Sequence, residues 1–333
     1  MRPAPWAGTM RGMRSVLIDC DPGHDDAVAI LLGLSRTEWR VDAITTVAGN
    51  QFLPKTTRNA LTVLTVAGRT DVPVYAGCQG PMERELHVAE SVHGESGLDG
   101  PTDLPEPAAQ ARPEHAVDFL IGYLDAASRP VTLIPTGPLT NVGTMLARRP
   151  DLAGKLERIV LMGGAVGEGN VTPSAEFNVW ADPEAARIVF RAGAPVTMIG
   201  LDVTHRALVP EADFEVIRSW SGPVCELVAD LLQYFVRYHR KVYGFDGVPI
   251  HDACAVAAAL RPEIVATRHL HVDVETAGEL TTGRTVVDLW GVTGNPPNAD
   301  VALEIDREGF FDLLYESLRS YSPGGPNDPT QGG

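Results

Sequence analysis

Asp19, Asp21, Asp25 and Asp26 crowd four carboxylates into one short stretch, Asp19-Cys20-Asp21-Pro22-Gly23-His24-Asp25-Asp26. Two unit charges about 4 Å apart repel by roughly 4 kcal/mol at an effective dielectric near 20. A helix dipole at Asp25 and Asp26 offsets about 1 kcal/mol of that. The remainder leaves two outcomes: some carboxyls keep their protons, or a cation sits among them. An all-oxygen ligand set favours a hard ion, Ca2+ or Mg2+, over zinc. Asp25 and Asp26 would also suit a plain helix start, but that reading covers one aspartate and not the cluster.

The flanking residues say where the cluster sits. Val16-Leu17-Ile18 is a short continuous apolar run, the pattern of a buried parallel strand. Residues 27–34 are a second apolar run and read as a helix packed on that sheet. Pro22-Gly23 makes the turn between them. The aspartates therefore lie at the carboxyl end of a strand and in a first helical turn, where open α/β sheets take their ligands.

The alternation continues. Residues 40–47 read as a strand ending in Ala48-Gly49-Asn50, which puts Asn50 at the same sheet edge as Asp21. A helix over 56–67 and a strand over 72–75 follow. Residues 82–107 lack periodicity, and so long a stretch is functional or disordered. A helix over 113–127 precedes a strand over 131–135, which runs into Thr136-Gly137-Pro138 and a helix to 148. The strand over 156–162 leads to a loop carrying Asn170 and Glu176-Phe177-Asn178. Asp182 reads as an N-cap with Pro183 at the first helical position, and 194–201 is another strand. Repeated strand-turn-helix units imply an α/β fold with a mostly parallel open sheet flanked by helices. After Asp202 the pattern is mainly helical, over 211–220 and 224–243, with a loop over 245–250. His251-Asp252 then opens a helix to 260. Residues 270–305 suggest antiparallel strands or a β-hairpin, and 308–318 a last helix.

The 333 residues suit one large α/β domain. Residues 1–13 read as a disordered leader, in which Met10 or Met13 is a candidate start. Residues 14–321 read as a single domain, and 322–333 as a disordered tail rich in Pro, Gly and Asp. The leader lacks the apolar core of a signal peptide. A net charge of −16 argues against nucleic acid and anionic membrane surfaces as partners. No apolar run approaches the about 18 residues of a membrane helix. Cys20, Cys78, Cys225 and Cys254 lack paired spacing and read as reduced thiols of a cytoplasmic protein. Cys20 is a poor nucleophile, since neighbouring carboxylates raise its pKa. No glycine-rich phosphate loop follows any strand, which argues against nucleotide phosphates.

Asp19-x-Asp21-x-x-x-Asp25-Asp26 after an apolar strand resembles the fingerprint of the inosine-uridine preferring nucleoside hydrolases. The run Ser91-Val92-His93-Gly94-Glu95-Ser96-Gly97 and the pair His251-Asp252 extend the resemblance, which covers residues 15–318. Haloacid-dehalogenase phosphatases share Asp-x-Asp but want Thr or Val where this chain has Gly23. An EF-hand loop counted from Asp19 would need Glu where this chain has Ile30. The resemblance implies a Rossmann-like sheet and hydrolysis of a ribonucleoside's N-glycosidic bond. It implies one Ca2+ on Asp21, Asp26, Asp252 and the Thr136 carbonyl, completed by water and two ribose hydroxyls. Asp21 would be the general base, with Asn50 steadying it or the water through a hydrogen bond. Asp25, Asn170, Glu176 and Asn178 match ribose-hydroxyl ligands. Met162 would line the sugar's apolar face, and His251 could protonate the leaving base. His93 could contact the base, and Phe177 could stack or merely pack. Relatives are usually homodimers or homotetramers.

Base selectivity must come from elsewhere, because ribose ligands do not see the base. The His93 loop and residues 234–250 are candidates, with Tyr238, His239 and Tyr243 able to donate hydrogen bonds. Ordinary helix packing explains Tyr234 and Tyr238 equally well. A pyrimidine has no N7 to protonate and needs a carbonyl polarised, which suits His239 with a tyrosine. The run 244–252 also looks closer to the pyrimidine-preferring branch. The expectation is therefore a pyrimidine lean, with a purine-preferring or non-specific hydrolase as the alternative. A metal-dependent phosphohydrolase would want basic residues near the acidic cluster, and the matched loops have none. A non-catalytic nucleoside-binding protein would have no use for the base at Asp21.

Overall fold

The computed structural model describes residues 14–331. The leader read over 1–13 lies outside the described residues. Strand β1, Arg14–Cys20, is followed by β2 (Trp39–Thr46), β3 (Val74–Ala76), β4 (Val131–Pro135), β5 (Leu156–Met162) and β6 (Val196–Ile199). Then come β7 (Leu208–Pro210), β8 (Gly247–Pro249), β9 (Val265–Val274), β10 (Thr285–Asp288) and β11 (Ala299–Ile305). Nine of these form one sheet in the order β10-β9-β11-β6-β5-β4-β1-β2-β3.

The continuous apolar run in β1 has a two-sided cause. Val16, Ile18 and Cys20 pack into one core and Leu17 into the other, as the two-residue side-chain period of a strand requires. The first core takes helices His24–Leu34, Pro223–Tyr243 and His251–Leu260, while the second takes Ala116–Ala126, Thr140–Arg148 and Pro183–Arg191. Both faces of the sheet are thereby covered.

Strand order reverses at the β1–β4 pair. Strands β2 and β3 lie to one side, β5 and β6 to the other, and all these pairs are parallel. A crevice opens outside the carboxyl ends of the strands at such a point. Asp21 follows β1 there and Thr136 follows β4.

Three features differ from the sequence reading. The antiparallel strands expected after 270 are present but belong to the main sheet: β11 pairs parallel with β6 and antiparallel with β9, and β9 pairs antiparallel with β10. The loop expected over 245–250 contains β8, which pairs with β7 in a small second sheet. The tail expected to be disordered is tied to the body. Asn327 donates to the Ser35 carbonyl at 2.9 Å, just beyond the buried Tyr321, whose hydroxyl donates to the Leu31 carbonyl at 2.8 Å. Composition alone misses such anchors, because one asparagine and one tyrosine supply them.

Candidate active site

The acidic loop is held by main-chain donors. Asp26 accepts from the Gly23 N–H at 2.9 Å through Oδ2, so it caps its own helix, and from the Thr136 hydroxyl at 2.9 Å through Oδ1. Asp21 accepts from the Asn50 N–H at 2.6 Å. Asn50, expected to steady Asp21 or the water by a hydrogen bond, does so for Asp21 through this N–H, while its side-chain amide donates to Asp26 Oδ2 at 3.0 Å. Asn50 thus serves both aspartates, Asp21 by backbone and Asp26 by amide. A Cβ at Gly49 would come 2.1 Å from Asp21 Oδ2, and one at Gly137 would come 2.5 Å from Oδ1. Only glycine leaves room for that carboxylate.

Asp25, Asp26 and Asp252 bring carboxylate oxygens within 4.8 Å of one another. Burial pushes the Asp25 carboxyl up to about 8, helped by the charge of Asp26. Asp21 and Asp252 are held well above the carboxylate range, first by burial and then by their aspartate neighbours. Asp21 Oδ1 is buried without a hydrogen-bond partner. A divalent cation fits the Asp25, Asp26 and Asp252 group, whose repulsion it would offset; Asp21, expected as a ligand, lies outside that group but beside it, with Oδ1 unpartnered. Cys20 is a poor nucleophile, its thiol raised by burial and by Asp26, Asp19 and Asp21. All four cysteines are free thiols.

Above this floor lies a cavity of about 370 Å³. Asp25, Thr136, Asp252, Asn50, Asn170, Glu176 and Asn178 give it a polar lining beside the Met162 thioether, while Asp21 and Asp26 are fully buried and do not line it. Glu176 caps the short helix Phe177–Ala181, accepting from the Asn178 and Val179 N–H groups, and also takes the Gly164 N–H at 2.8 Å. Its carboxyl is still pushed up to about 7 by burial. Asn178 gives its amide to the Thr136 carbonyl at 2.8 Å and the Met162 carbonyl at 3.2 Å, which leaves Oδ1 for a ligand. Asn170 Oδ1 accepts from the Phe177 N–H at 2.9 Å, which leaves its amide.

The rest of the lining is aromatic and imidazole-rich, with His93, Phe235, Tyr238, His239, Tyr243, His251 and Phe177. Phe177 lies 6.4 Å from Trp180 between ring centroids. His239 Nδ1 contacts the Phe235 carbonyl at 3.1 Å, and burial lowers its imidazole to about 4. His93 and His251 are also held well below the ordinary histidine range by burial. His251 Nδ1 lies 2.7 Å from the Thr204 hydroxyl. His93 Nδ1 lies 3.1 Å from His24 Nδ1, and His24 Nε2 reaches the Asp99 carbonyl at 2.8 Å. No Lys or Arg lines the cavity among the described residues, so nothing there would hold a phosphoryl group.

The expected metal, ribose and base ligands thus gather at one cavity or buried next to it, whereas Asp19 turns to Thr45 and Asn141 and Tyr234 lines a different pocket. Several neighbours were not foreseen. His205 and Trp180 line the cavity, and His24 braces His93 from behind. His205 arrives at the end of a four-residue helix, Leu201–Thr204, too short for periodicity to reveal. The position of His24 inside the acidic motif was the available signal for its proximity.

A family model described as inosine-uridine preferring nucleoside hydrolase matches residues 16–312. A protein of Shewanella woodyi named pyrimidine-specific ribonucleoside hydrolase RihA is 52% identical over 310 residues, 93% of this chain and 99% of the relative. The protein of that name from Photobacterium profundum is 51% identical over 309 residues, 92% of this chain and 99% of its own. A solved purine-preferring ribonucleoside hydrolase from Gardnerella vaginalis superposes with a TM-score of 0.87 at 32% identity, covering 92% of this chain and 98% of that one.

Proposed function

The chain belongs to the inosine-uridine preferring nucleoside hydrolase family, and we propose that it hydrolyses pyrimidine ribonucleosides to ribose and free base with the help of Ca2+. One observation carries this reading: buried carboxylates, with an unpartnered oxygen on Asp21, adjoin a cavity lined by carboxylates and amides together with aromatic and imidazole rings. The pyrimidine lean is supported by relatives at 51–52% identity that are named for that specificity.

Asp21, Asp26, Asp252 and the Thr136 carbonyl would hold the ion, with Asp25 beside them. Bound there, Ca2+ would ease deprotonation of a water and orient the sugar's vicinal hydroxyls. Asp21 takes the proton from the attacking water. Its Oδ2 is anchored by the Asn50 N–H, which leaves Oδ1 as the basic atom. Glu176, Asn170, Asn178 and Asp25 bind ribose hydroxyls, and the negative charge of the two carboxylates, Asp25 and Glu176, favours a developing cation at the anomeric carbon. That effect speeds the reaction only as far as it grows at the transition state. Met162 packs on the sugar. His251 assists the leaving base, His93 and His239 contact it, and Phe177 closes the rim.

We also read residues 14–321 as one hydrolase domain of a cytoplasmic homodimer or homotetramer. No helix among the described residues is long and apolar enough to cross a membrane. The test of the activity is release of free base. The Ca2+-loaded protein should release uracil from uridine and cytosine from cytidine at least about tenfold faster, in kcat/KM, than it releases hypoxanthine from inosine. A preference of that size for inosine overturns the pyrimidine lean, and no release from any ribonucleoside overturns the activity.

A further inference from the structure

Thr204 ends the short helix Leu201–Thr204 and is fully buried. Its backbone N–H is spent on the Gly200 carbonyl at 3.1 Å. Among the described residues its hydroxyl has one hydrogen-bond partner, His251 Nδ1 at 2.7 Å. The other ring nitrogen of His251, Nε2, makes no hydrogen bond to protein and opens on the cavity that His251 lines.

A neutral imidazole carries one ring hydrogen, and this contact decides where it sits. Were it on Nδ1, it would point at the Thr204 oxygen, and the hydroxyl hydrogen would be buried without an acceptor. With Nδ1 bare, the hydroxyl donates to it and every buried donor has a partner. Leaving a buried donor unmade is the costlier choice. On this reasoning the hydrogen belongs on Nε2, facing the cavity.

We propose that Thr204 is a positioning residue that locks His251 as the Nε2–H tautomer, making it a hydrogen-bond donor to a carbonyl oxygen of the departing base. The inference rests on the ribonucleoside-hydrolase reading of the cavity and adds the class of atom His251 serves: an acceptor on the base, such as the pyrimidine O2. Thr204 touches no substrate. It acts by denying His251 the tautomer that would aim a lone pair at that oxygen. Loop pairing explains its reach, since β7 and β8 lie side by side and bring the short helix before β7 against His251 after β8.

The test compares Thr204→Val and Thr204→Ser on two substrates. Uridine needs help at its leaving base, whereas p-nitrophenyl riboside has a leaving group stable without it. Thr204→Val should lose roughly 10- to 100-fold in kcat on uridine with KM changed less than about threefold, and lose less than about threefold on the p-nitrophenyl riboside. Thr204→Ser, which keeps the hydroxyl, should restore uridine turnover to within about threefold. Equal losses on both substrates, or full uridine activity in Thr204→Val, overturn the proposal. A second measurement does not depend on the variant folding. Nitrogen–proton correlation spectra of the wild-type, Ca2+-loaded protein should show His251 with its hydrogen on Nε2, and a hydrogen on Nδ1 overturns it. Wild type inactive on uridine but carrying the Nε2–H tautomer would refute the pyrimidine reading and leave the tautomer assignment standing.

Discussion

Asn50 and Gly164 each hold a carboxylate through a backbone N–H, at 2.6 and 2.8 Å. Elsewhere in the lining of the same cavity, Tyr238, His239 and Tyr243 meet through rings whose centroids lie 5.5 to 6.2 Å apart. The hydrogen bonds of these three residues are fewer and longer, as in the Tyr243 hydroxyl reaching the Asn170 carbonyl at 3.4 Å. The carboxylate end hangs from strand ends at the centre of a parallel sheet. The aromatic end hangs from the last turns of the long helix Pro223–Tyr243 and from loops. Directional bonds to main chain fix atoms, whereas ring contacts fix area and tolerate exchange. The first end suits chemistry shared across a family, and the second suits selectivity that varies within it.

Breaking the fixed end should have the largest effect. Asp21→Asn keeps size and the Asn50 contact but removes the basic oxygen, so kcat on uridine should fall roughly a thousandfold or more with the melting temperature unharmed. Turnover within about tenfold of wild type would show that another group takes the proton.

The cation-free protein offers the next test. Asp25 and Glu176 have folded pKa values raised to about 8 and about 7, so the folded state binds more protons than the unfolded one. Their contribution to stability is complete below about pH 4 and is lost as pH rises through their folded values. Melting temperature of the chelated protein should therefore fall by several degrees between about pH 5.5 and pH 8.5. Saturating Ca2+ should raise it and flatten the slope. A chelated protein that becomes more stable over that interval would contradict the raised values, and full activity after exhaustive chelation would remove the metal from the reaction.

The loose end should respond least in rate and most in preference. His239→Ala and Tyr243→Phe should shift the uridine-to-inosine ratio of kcat/KM by about tenfold, with smaller changes in overall turnover. An unchanged ratio in both would clear this wall of a role in selectivity.

The same contrast marks what could be read from the chain. Asp21, Asp25 and Asp26 were legible because their spacing is local, with turn and strand adjoining in sequence. Strand β5, expected over 156–162, is observed as Leu156–Met162, and Asp182 caps its helix by accepting from the Ala185 N–H at 3.0 Å. His205 and Trp180 were not legible at the cavity. Strands of three residues and helices of four or five carry no period, and the pairing of β7 with β8 joins segments distant in the chain. Asn50 was placed at the right edge, but its amide went to Asp26, because strand-end spacing says nothing of which neighbour an amide chooses.

The anchored tail also sets an order of events during synthesis. Asp21, Asp25 and Asp26 leave the ribosome early, Thr136 later, Asp252 later still, and Tyr321 near the end. The helix bearing Asp25 and Asp26 receives its last main-chain partners, at Leu31 and Ser35, from Tyr321 and Asn327. A chain cut before Tyr321 would lose these two contacts at the C-terminal end of the helix whose first turn carries Asp25 and Asp26.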